Sequence, residues 1–169
     1  MKTAIQQFIT KYGQDKTYWV AYSGGLDSHV LLDLCVALQK EYYFNLKVIH
    51  VHHGISPNAN EWLKHCQRAC VEYQVELISE HVKAIPPEGV SLEEYARDLR
   101  YAVFKQRVEE KDIVLTAQHQ DDQAETFLIQ LIRGAGPKGL SGMPAIKPLG
   151  KGWLGRPLLN FSRLELAIY

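Results

Sequence analysis

The chain has 169 residues, of which 46% are hydrophobic and 22% are charged, which is typical of one globular domain with its own core and excludes a low-complexity chain. Lysine plus arginine and aspartate plus glutamate both count 19, so no net charge signals a nucleic-acid partner, and any RNA contact is local or lies mostly outside this chain. The amino terminus is too polar for a signal peptide and no apolar run approaches membrane-spanning length, so we expect a cytoplasmic protein without a membrane partner.

Apolar runs of strand length alternate with helical patterns along the chain. Helices are predicted at 3–12, 28–39, 59–73, 92–109 and 122–133. Strands are predicted between them at 18–22, 46–52, 75–81 and 113–117. This alternation predicts an α/β fold, a doubly wound parallel sheet with helices on both faces. Ligands bind such sheets at the carboxyl ends of the strands, so the loops after residues 22, 52 and 117 are the places to search.

The loop after the first predicted strand has the sequence S-G-G-L-D-S and opens an apolar helix. Its glycines permit a tight turn that presents successive N–H groups, and the helix N-terminus adds partial positive charge. It lacks the lysine of a Walker A loop and does not match G-x-G-x-x-G. We predict a phosphate-binding loop, in which Asp27 would repel phosphate unless it holds Mg²⁺. The alternative is a plain turn with Ser28 as the helix N-cap. The predicted ligand-binding residues are Ser23, Gly24, Gly25, Leu26, Asp27 and Ser28.

A second group of polar residues begins where the fourth predicted strand ends. It comprises His119, Asp121, Asp122 and Glu125. Asp122 and Glu125 alone could form a capping box with Asp122 as the N-cap. That interpretation does not account for His119 and Asp121 at the same strand end. Neighbouring carboxylates repel one another unless a cation is bound, so the spacing favours a functional site.

Several motifs resemble known families. The hexapeptide at 23–28 is similar to the PP-loop of the ATP pyrophosphatase superfamily, whose members cleave ATP between the α and β phosphates. The patterns H-x-D-D-x-x-E-T at 119–126 and R-G-x-G-x-x-G-L-S-G-M at 133–143 resemble the tRNA(Ile)-lysidine synthetase family. So do H-G-I at 53–55, E-x-A-R-x-x-R-Y at 94–101 and R-P-L-L at 156–159. One departure is Gln118, where many relatives carry a second histidine.

The resemblance implies an adenine nucleotide alpha hydrolase-like fold that uses ATP and Mg²⁺. It implies two further substrates, a tRNA(Ile) with a CAU anticodon and free L-lysine. The C2 oxygen of the wobble cytidine attacks the α-phosphorus of ATP, and the lysine ε-amine then displaces AMP to form lysidine. Asp27 with Asp121, Asp122 or both would hold Mg²⁺. Asp121, Asp122 or Glu125 would orient the lysine, and His119 would accept a proton.

Two arginines and a glycine-rich segment have both plain and functional interpretations. Arg97 and Arg100 could form ion pairs along a helix, but the family pattern favours Arg97, ahead of Arg100, as a phosphate or adenylate contact. The stretch 134–143 is either a surface loop or a mobile flap over the base and lysine, with Arg133 and Lys138 touching RNA. His50 and His52 share a strand face without a third metal ligand, which favours a place near a nucleotide.

The end of the chain is predicted to start another helix, because Ser162 and Glu165 have capping-box spacing. We expect residues 1–160 to form the ATP-binding catalytic domain and 161–169 to lead to further domains absent from this chain. The sequence leaves the oligomeric state open, with a homodimer among the options.

Three other functions compete with lysidine synthesis. A related synthetase acting on a small molecule would leave the acidic group at 119–125 without an explanation, and a nucleotide sensor without chemistry would not need it. A tRNA thiolase of the same superfamily generally needs reactive or cluster-binding cysteines, often as C-x-x-C. Cys35, Cys66 and Cys70 do not provide that pattern, and buried free thiols explain them more simply.

Overall fold

The computed structural model describes residues 1–56 and 58–169. Its helices are α1 (Lys2–Tyr12), α2 (Leu26–Gln39), α3 (Ala59–Glu72), α4 (Leu92–Arg107), α5 (Gln120–Ile132) and α6 (Arg163–Ile168). Its strands are β1 (Thr17–Ala21), β2 (Asn45–His52), β3 (Glu76–His81), β4 (Ile113–Leu115), β5 (Ile146–Leu149) and β6 (Gly152–Gly155). A 3-10 turn covers Gly139–Ser141.

The strands form one six-stranded sheet in the order β3-β2-β1-β4-β6-β5. The pairs β1–β2, β2–β3, β1–β4 and β4–β6 are parallel, and β5 pairs with β6 antiparallel. The chain moves outward from β1 through β2 to β3 and then returns to place β4 on the other side of β1. This reversal is the topological switch point at which α/β sheets bind their ligands. The segments after β1 and β4 therefore lie side by side.

Helices cover both faces of the sheet, as the α/β prediction requires. Tyr18 and Val20 of β1 point into a core shared with α1, α2 and α3, while Trp19 points to the opposite face. There it packs with residues of α4 such as Phe104. Alternation of side chains along a strand buried on both faces accounts for the continuous apolar run in the sequence. The predicted fold class and the four predicted strands are thus confirmed.

The β5–β6 hairpin was not predicted. Pro148 lies in the outermost strand of the sheet, where a missing N–H is tolerated, and Gly150 turns the chain with a φ of +58°. A Cβ atom at Gly152 would lie 2.3 Å from Val108 Cγ1, so this strand approaches the end of α4 closely. Because glycine and proline are uncommon in strands, the sequence of this hairpin does not have a typical strand pattern.

The predicted start of a helix near residue 162 is confirmed. The Glu165 N–H donates to Ser162 Oγ over 3.3 Å, and the Ser162 N–H donates to Glu165 Oε2 over 2.8 Å. Leu166 is fully buried in the same core as α1 and α2. Helix α6 therefore packs on the domain that precedes it.

Within the described ranges, no helix combines the length and the apolar character needed to cross a membrane.

Candidate active site

The segments that follow β1 and β4 face each other across a crevice. They line a cavity of about 510 Å³ whose walls include Ser23, Gly25, Asp27, Ser28 and Asp122. Two of the predicted motifs, separated by about a hundred residues in sequence, thus meet at one place.

The loop at 23–28 is held together by its own serines. Ser28 Oγ donates to the Gly25 carbonyl over 2.9 Å and accepts the Ser23 N–H over 3.2 Å. The Ser23 hydroxyl lies 3.0 Å from the Ser28 hydroxyl and accepts the Gly25 N–H over 3.3 Å. Helix α2 has Gly25 as its N-cap and no side-chain cap, so the alternative with Ser28 as N-cap is wrong. Its first N–H groups remain available to an anion at the cavity.

Helix α3 supports the loop from behind. Gly24 has a φ of +86°, and a Cβ atom there would lie 3.2 Å from Cys66 Sγ. The Tyr22 hydroxyl lies 2.8 Å from His29 Nδ1 and 3.2 Å from His65 Nε2. The Tyr22 side chain, directly before the loop, therefore contacts both α2 and α3. Burial raises the pKa of Tyr22, so the phenol stays protonated and can keep these contacts.

His119 lies between three aspartates. Its Nε2 atom is 3.7 Å from Asp27 Oδ2. Its Nδ1 atom is 3.5 Å from Asp121 Oδ2 and 3.4 Å from Asp122 Oδ2. Because the imidazole is only 8% exposed, it is a buried neighbour of all three carboxylates. The convergence that the spacing predicted is therefore present in the geometry.

The three aspartates have different partners. Asp122 Oδ2 accepts the His119 N–H over 2.7 Å, which makes His119 the N-cap of α5 and Asp122 the third helical residue. The capping box with Asp122 as N-cap is therefore wrong. Asp121 Oδ2 accepts the Arg163 N–H over 2.8 Å and so joins α5 to α6, and this hydrogen bond lowers the pKa of Asp121.

Asp27 differs from the other two because it has a buried oxygen without a hydrogen-bond partner in the described residues. Its Oδ1 atom is buried without a hydrogen-bond partner in the described residues, and the nearest cationic nitrogen, Arg163 Nε, is 4.0 Å away. A buried carboxylate oxygen with no donor is suited to a cation.

A magnesium ion fits this corner of the crevice when a nucleotide supplies the other ligands. The described residues contain no group of three His, Cys, Asp or Glu side chains arranged to hold a metal. Mg²⁺ usually binds one or two carboxylates and takes phosphate oxygens and water for the rest. Asp27 and Asp122, which both line the cavity, match that requirement. Asp121 and Glu125 are exposed residues outside the cavity wall.

Positive side chains line the same cavity. They are Arg97, Arg100, Arg133, Lys147 and Arg156. Across residues 1–56 and 58–169, none of these five forms an ion pair with a carboxylate. Arg100 Nε is buried and has no hydrogen-bond partner in the described part of the chain. Burial together with the charge of Arg97 lowers the pKa of Arg100. Closely placed cations without counter-ions favour a polyanionic ligand.

Two of these cations were not among the predicted site residues. Lys147 comes from β5 and lies 5.5 Å above the ring of Tyr101, and Arg156 follows β6. Arg156 was visible in the R-P-L-L pattern, and its burial to 3% exposure marks it as more than a surface charge. Its Nε donates to Gln118 Oε1 over 3.1 Å, which gives the residue that departs from the family pattern a structural role.

A second, more apolar cavity of about 420 Å³ adjoins the first on the other side of the loop. The two share wall residues, among them Ser23 and Arg100. Its wall includes His50 and His53, whose pKa values are lowered mainly by burial, so both rings are neutral near pH 7. Trp62 completes an environment suited to a flat aromatic ligand.

The glycine-rich segment 134–143 borders the first cavity. Arg133 and Met143 line the cavity at the two ends of this segment, whereas Lys138 is exposed and lies outside the wall.

Comparisons with known proteins agree with this geometry. A protein-family model described as a PP-loop domain matches residues 1–169. A tRNA(Ile)-lysidine synthase of Coxiella burnetii is 47% identical over 165 residues, which cover 98% of this chain and 37% of that protein. A tRNA(Ile)-lysidine synthase of Pseudomonas fluorescens is 50% identical over 155 residues, covering 90% of this chain and 35% of the relative. The chain therefore spans less than two fifths of the length of these curated relatives.

Solved structures with low sequence identity share the fold. The U34-tRNA thiolase NcsA from Methanococcus maripaludis, solved with its [4Fe-4S] cluster, matches with a TM-score of 0.77 at 19% identity, over 99% of this chain and 61% of that one. FMN adenylyltransferase of Candida glabrata matches with a TM-score of 0.56 at 16% identity, over 98% of this chain and 52% of that one.

Proposed function

Because this chain belongs to the PP-loop domain family, we propose that it binds ATP in the crevice and transfers AMP from it to an RNA base. One observation carries the proposal: the 23–28 loop, the partnerless oxygen of Asp27 and the unpaired cations share one cavity. A metal-bound triphosphate needs these three features together, namely N–H donors, a carboxylate for the metal and positive side chains.

In this proposal the two cavities bind different parts of the same ATP molecule. The adenine occupies the apolar cavity beside the neutral rings of His50 and His53. The phosphates lie along the N-terminus of α2, and Arg97 contacts them from the opposite wall. Mg²⁺ on Asp27 and Asp122 would neutralise the charge that develops on the leaving pyrophosphate.

The other substrates are proposed from the relatives, which are named tRNA(Ile)-lysidine synthases. The C2 oxygen of the wobble cytidine of a CAU-anticodon tRNA(Ile) forms a bond to the α-phosphorus while the bond to pyrophosphate breaks. The ε-amine of free L-lysine then forms a carbon–nitrogen bond at C2, and the bond from C2 to the oxygen of AMP breaks.

Two residues are proposed to serve the second step. A lysine ammonium must lose a proton before it can attack, so a base near the crevice is required. We propose that Asp122, which lines the cavity, orients the ammonium and that His119, buried between the aspartates, accepts the proton.

The setting of this chemistry is also a proposal. We propose that residues 1–160 act as the catalytic domain and that 161–169 lead towards further domains, in keeping with the greater length of the relatives. Three free cysteines fit a reducing cytoplasm.

A homodimer is supported by exposed apolar side chains of α5 such as Phe127, Leu128 and Leu131. Light scattering would measure the oligomeric state.

The test is one reaction containing ATP, Mg²⁺, L-lysine and an unmodified tRNA(Ile) transcript with a CAU anticodon. We expect AMP, pyrophosphate and a lysine-adducted cytidine, detected by nucleotide chromatography and nucleoside mass spectrometry. Without lysine, pyrophosphate and an adenylated RNA should appear; without Mg²⁺, no product should form. ADP and phosphate as products would contradict the proposal.

Asp27→Ala is the informative variant, because it removes the buried oxygen that has no partner among the described residues. A loss of several kcal/mol of charge stabilisation corresponds to a fall in turnover of about 100-fold or more. Asp33→Ala is the matched control: Asp33 lies on the same helix but accepts from the hydroxyls of Tyr73 and Tyr169 rather than lining the cavity.

A further inference from the structure

The end of the segment 134–143 that contains Met143 is held on α5 by one side chain, that of Gln123. Its Nε2 donates to the Met143 carbonyl over 2.8 Å, and its Oε1 accepts the Met143 N–H over 2.6 Å. A side-chain amide thus pairs with a backbone residue in the way that one strand residue pairs with another. In the described part of the chain, Gln123 supplies both hydrogen bonds made by the backbone of Met143.

The neighbouring residues are shaped to permit this contact. Gly142 has a φ of +72°, and a Cβ atom there would lie 2.8 Å from Gln123 Oε1. A glycine is therefore required for both the backbone conformation and the close approach of the amide. Beyond Met143, Arg156 Nη1 donates to the Pro144 carbonyl and the Arg156 N–H donates to the Ala145 carbonyl, each over 2.8 Å.

The residues before Gly142 are held differently. The hydrogen bonds found from Gly136 to Ser141 are local turns, such as Gly139 N–H to the Gly136 carbonyl at 2.9 Å and Ser141 Oγ to the Lys138 carbonyl at 2.8 Å. Apart from its two neighbours in the chain, no described residue has an atom within 4 Å of a Cβ added at Gly134 or at Gly136. The segment is therefore a locally folded, exposed stretch that is held at both ends. The N–H groups of Gly134 and Ala135 donate to carbonyls of α5 at the first end, and Gln123 holds Met143 at the second.

The contact between Gln123 and Met143 also affects the wall of the crevice. Gln123 follows Asp122, whose side chain lines the same cavity as Met143. The side-chain amide of Gln123 therefore connects two parts of the cavity wall: the first turn of α5, which contains Asp122, and the residue Met143. None of the hydrogen bonds within the 23–28 loop involves Gln123.

We propose that Gln123 is a positioning residue for the second substrate: its amide holds Met143 in the cavity wall against which the target nucleobase packs. This role rests on the proposed function, because the nucleobase is the substrate of that same site. Gln123 acts through Met143 and leaves the ATP-binding loop untouched. Its loss should therefore affect RNA and spare the nucleotide.

Gln123→Glu tests the amide with almost no change in shape. The new carboxylate still accepts the Met143 N–H but faces the Met143 carbonyl with an acceptor instead of a donor. We expect the KM for tRNA to rise about tenfold, the effect of one lost hydrogen bond plus a half-buried carbonyl that faces an acceptor. The dissociation constant for a non-hydrolysable ATP analogue should stay unchanged. Gln123→Ala, which removes both hydrogen bonds, should raise the KM for tRNA at least as much.

Gln120→Glu is the matched control for charge. Gln120 is an exposed residue at the start of the same helix, and its side chain makes no hydrogen bond among residues 1–56 and 58–169. It should behave like the native protein. Amide hydrogen exchange at Met143 provides a readout that does not depend on catalysis, and Gln123→Ala, which removes the acceptor of the Met143 N–H, should accelerate it.

The outcomes separate the two proposals. Unchanged exchange at Met143 in Gln123→Ala, or faster exchange with an unchanged KM for tRNA, would overturn the positioning role. A merely structural effect would instead weaken ATP binding and tRNA binding together, which also contradicts it. If the native protein makes no adenylated RNA, the proposed function fails and the positioning role fails with it, while the exchange data would still report the fastening of Met143.

Discussion

At the scale of single residues, three aspartates around one histidine have three different environments. Asp122 caps the helix to which it belongs and Asp121 holds the neighbouring helix, whereas Asp27 has a buried oxygen without a partner among the described residues. Sequence spacing places all three near His119 without distinguishing them, because hydrogen-bond partners depend on tertiary packing. This buried oxygen is therefore the feature that makes Asp27 the first choice for the metal.

Gly24 is the residue whose substitution should distort the loop most directly. Its φ of +86° is unfavourable for a side chain, and an added Cβ would press on Cys66 Sγ at 3.2 Å. We expect Gly24→Ala to lower the free energy of unfolding by about 1–2 kcal/mol and to weaken ATP binding. Chemical denaturation and calorimetric titration with an ATP analogue measure the two effects.

Gly136→Ala is the control for that substitution. Apart from its two neighbours in the chain, no described residue has an atom within 4 Å of a Cβ added at Gly136, and the Gly136 backbone lies outside the left-handed region. It should leave both stability and ATP binding near the native values. If Gly24→Ala proved equally harmless, the loop would have to be far more compliant than its contact with α3 implies.

At the scale of elements, Asp121 belongs to a catalytic pattern in the sequence, but its contacts in the structure join two helices. Substitution of Asp121 can show which of the two roles it has. Its carboxylate accepts the Arg163 N–H at the start of α6. Asparagine can still accept that hydrogen bond, whereas alanine cannot. We expect Asp121→Asn to change turnover only about two- to threefold, since an exposed charge contributes little, and Asp121→Ala to accelerate amide exchange at Arg163.

The comparison with Asp27→Asn decides the role of Asp121. If both asparagine variants lost turnover to the same extent, Asp121 would belong with the metal or the lysine after all. Faster exchange at Arg163 in the alanine variant alone would support a link between α5 and α6.

The elements also show where sequence patterns are informative. The strand at 18–22 was predicted because β1 is buried on both faces and reads as a continuous apolar run. The fourth strand was predicted as 113–117 but ends at Leu115. Beyond it the Thr116 hydroxyl donates to Gln118 Oε1, which also accepts the Arg156 Nε–H. The β5–β6 hairpin was missed because Gly150 and Gly152 lie so close to the end of α4 that a Cβ atom would clash there, and this tertiary requirement leaves no local apolar pattern. The cations of those strands were missed for the same reason.

At the scale of the whole molecule, neutrality conceals a strongly uneven distribution of charge. The chain carries 19 basic and 19 acidic residues. The larger cavity nevertheless combines five arginine and lysine side chains with two aspartates, Asp27 and Asp122. Overall composition therefore gave no sign of an anionic ligand, because the acidic residues that balance these cations lie elsewhere on the surface.

The fold alone does not separate lysidine synthesis from thiolation, because a thiolase has the same architecture. The cysteines of this chain favour lysidine synthesis. Cys35, Cys66 and Cys70 are all buried at 2% exposure or less, and no cysteine lines the larger cavity in the described residues. Burial raises the pKa of Cys35 and of Cys66 to about 12 and that of Cys70 to about 11. A thiol is reactive only as the thiolate.

We therefore expect the native protein to resist thiol reagents. At pH 8, a pKa of about 12 leaves about one Cys66 thiol in ten thousand ionised. A chromogenic disulfide reagent should detect almost no thiol in the native protein and three after addition of denaturant, since all three cysteines are free. The purified protein should also lack iron and cluster absorbance, and alkylation under native conditions should leave turnover unchanged. A single fast-reacting thiol whose modification abolished turnover would instead favour sulfur chemistry at this crevice, because burial would then have failed to keep that cysteine protonated.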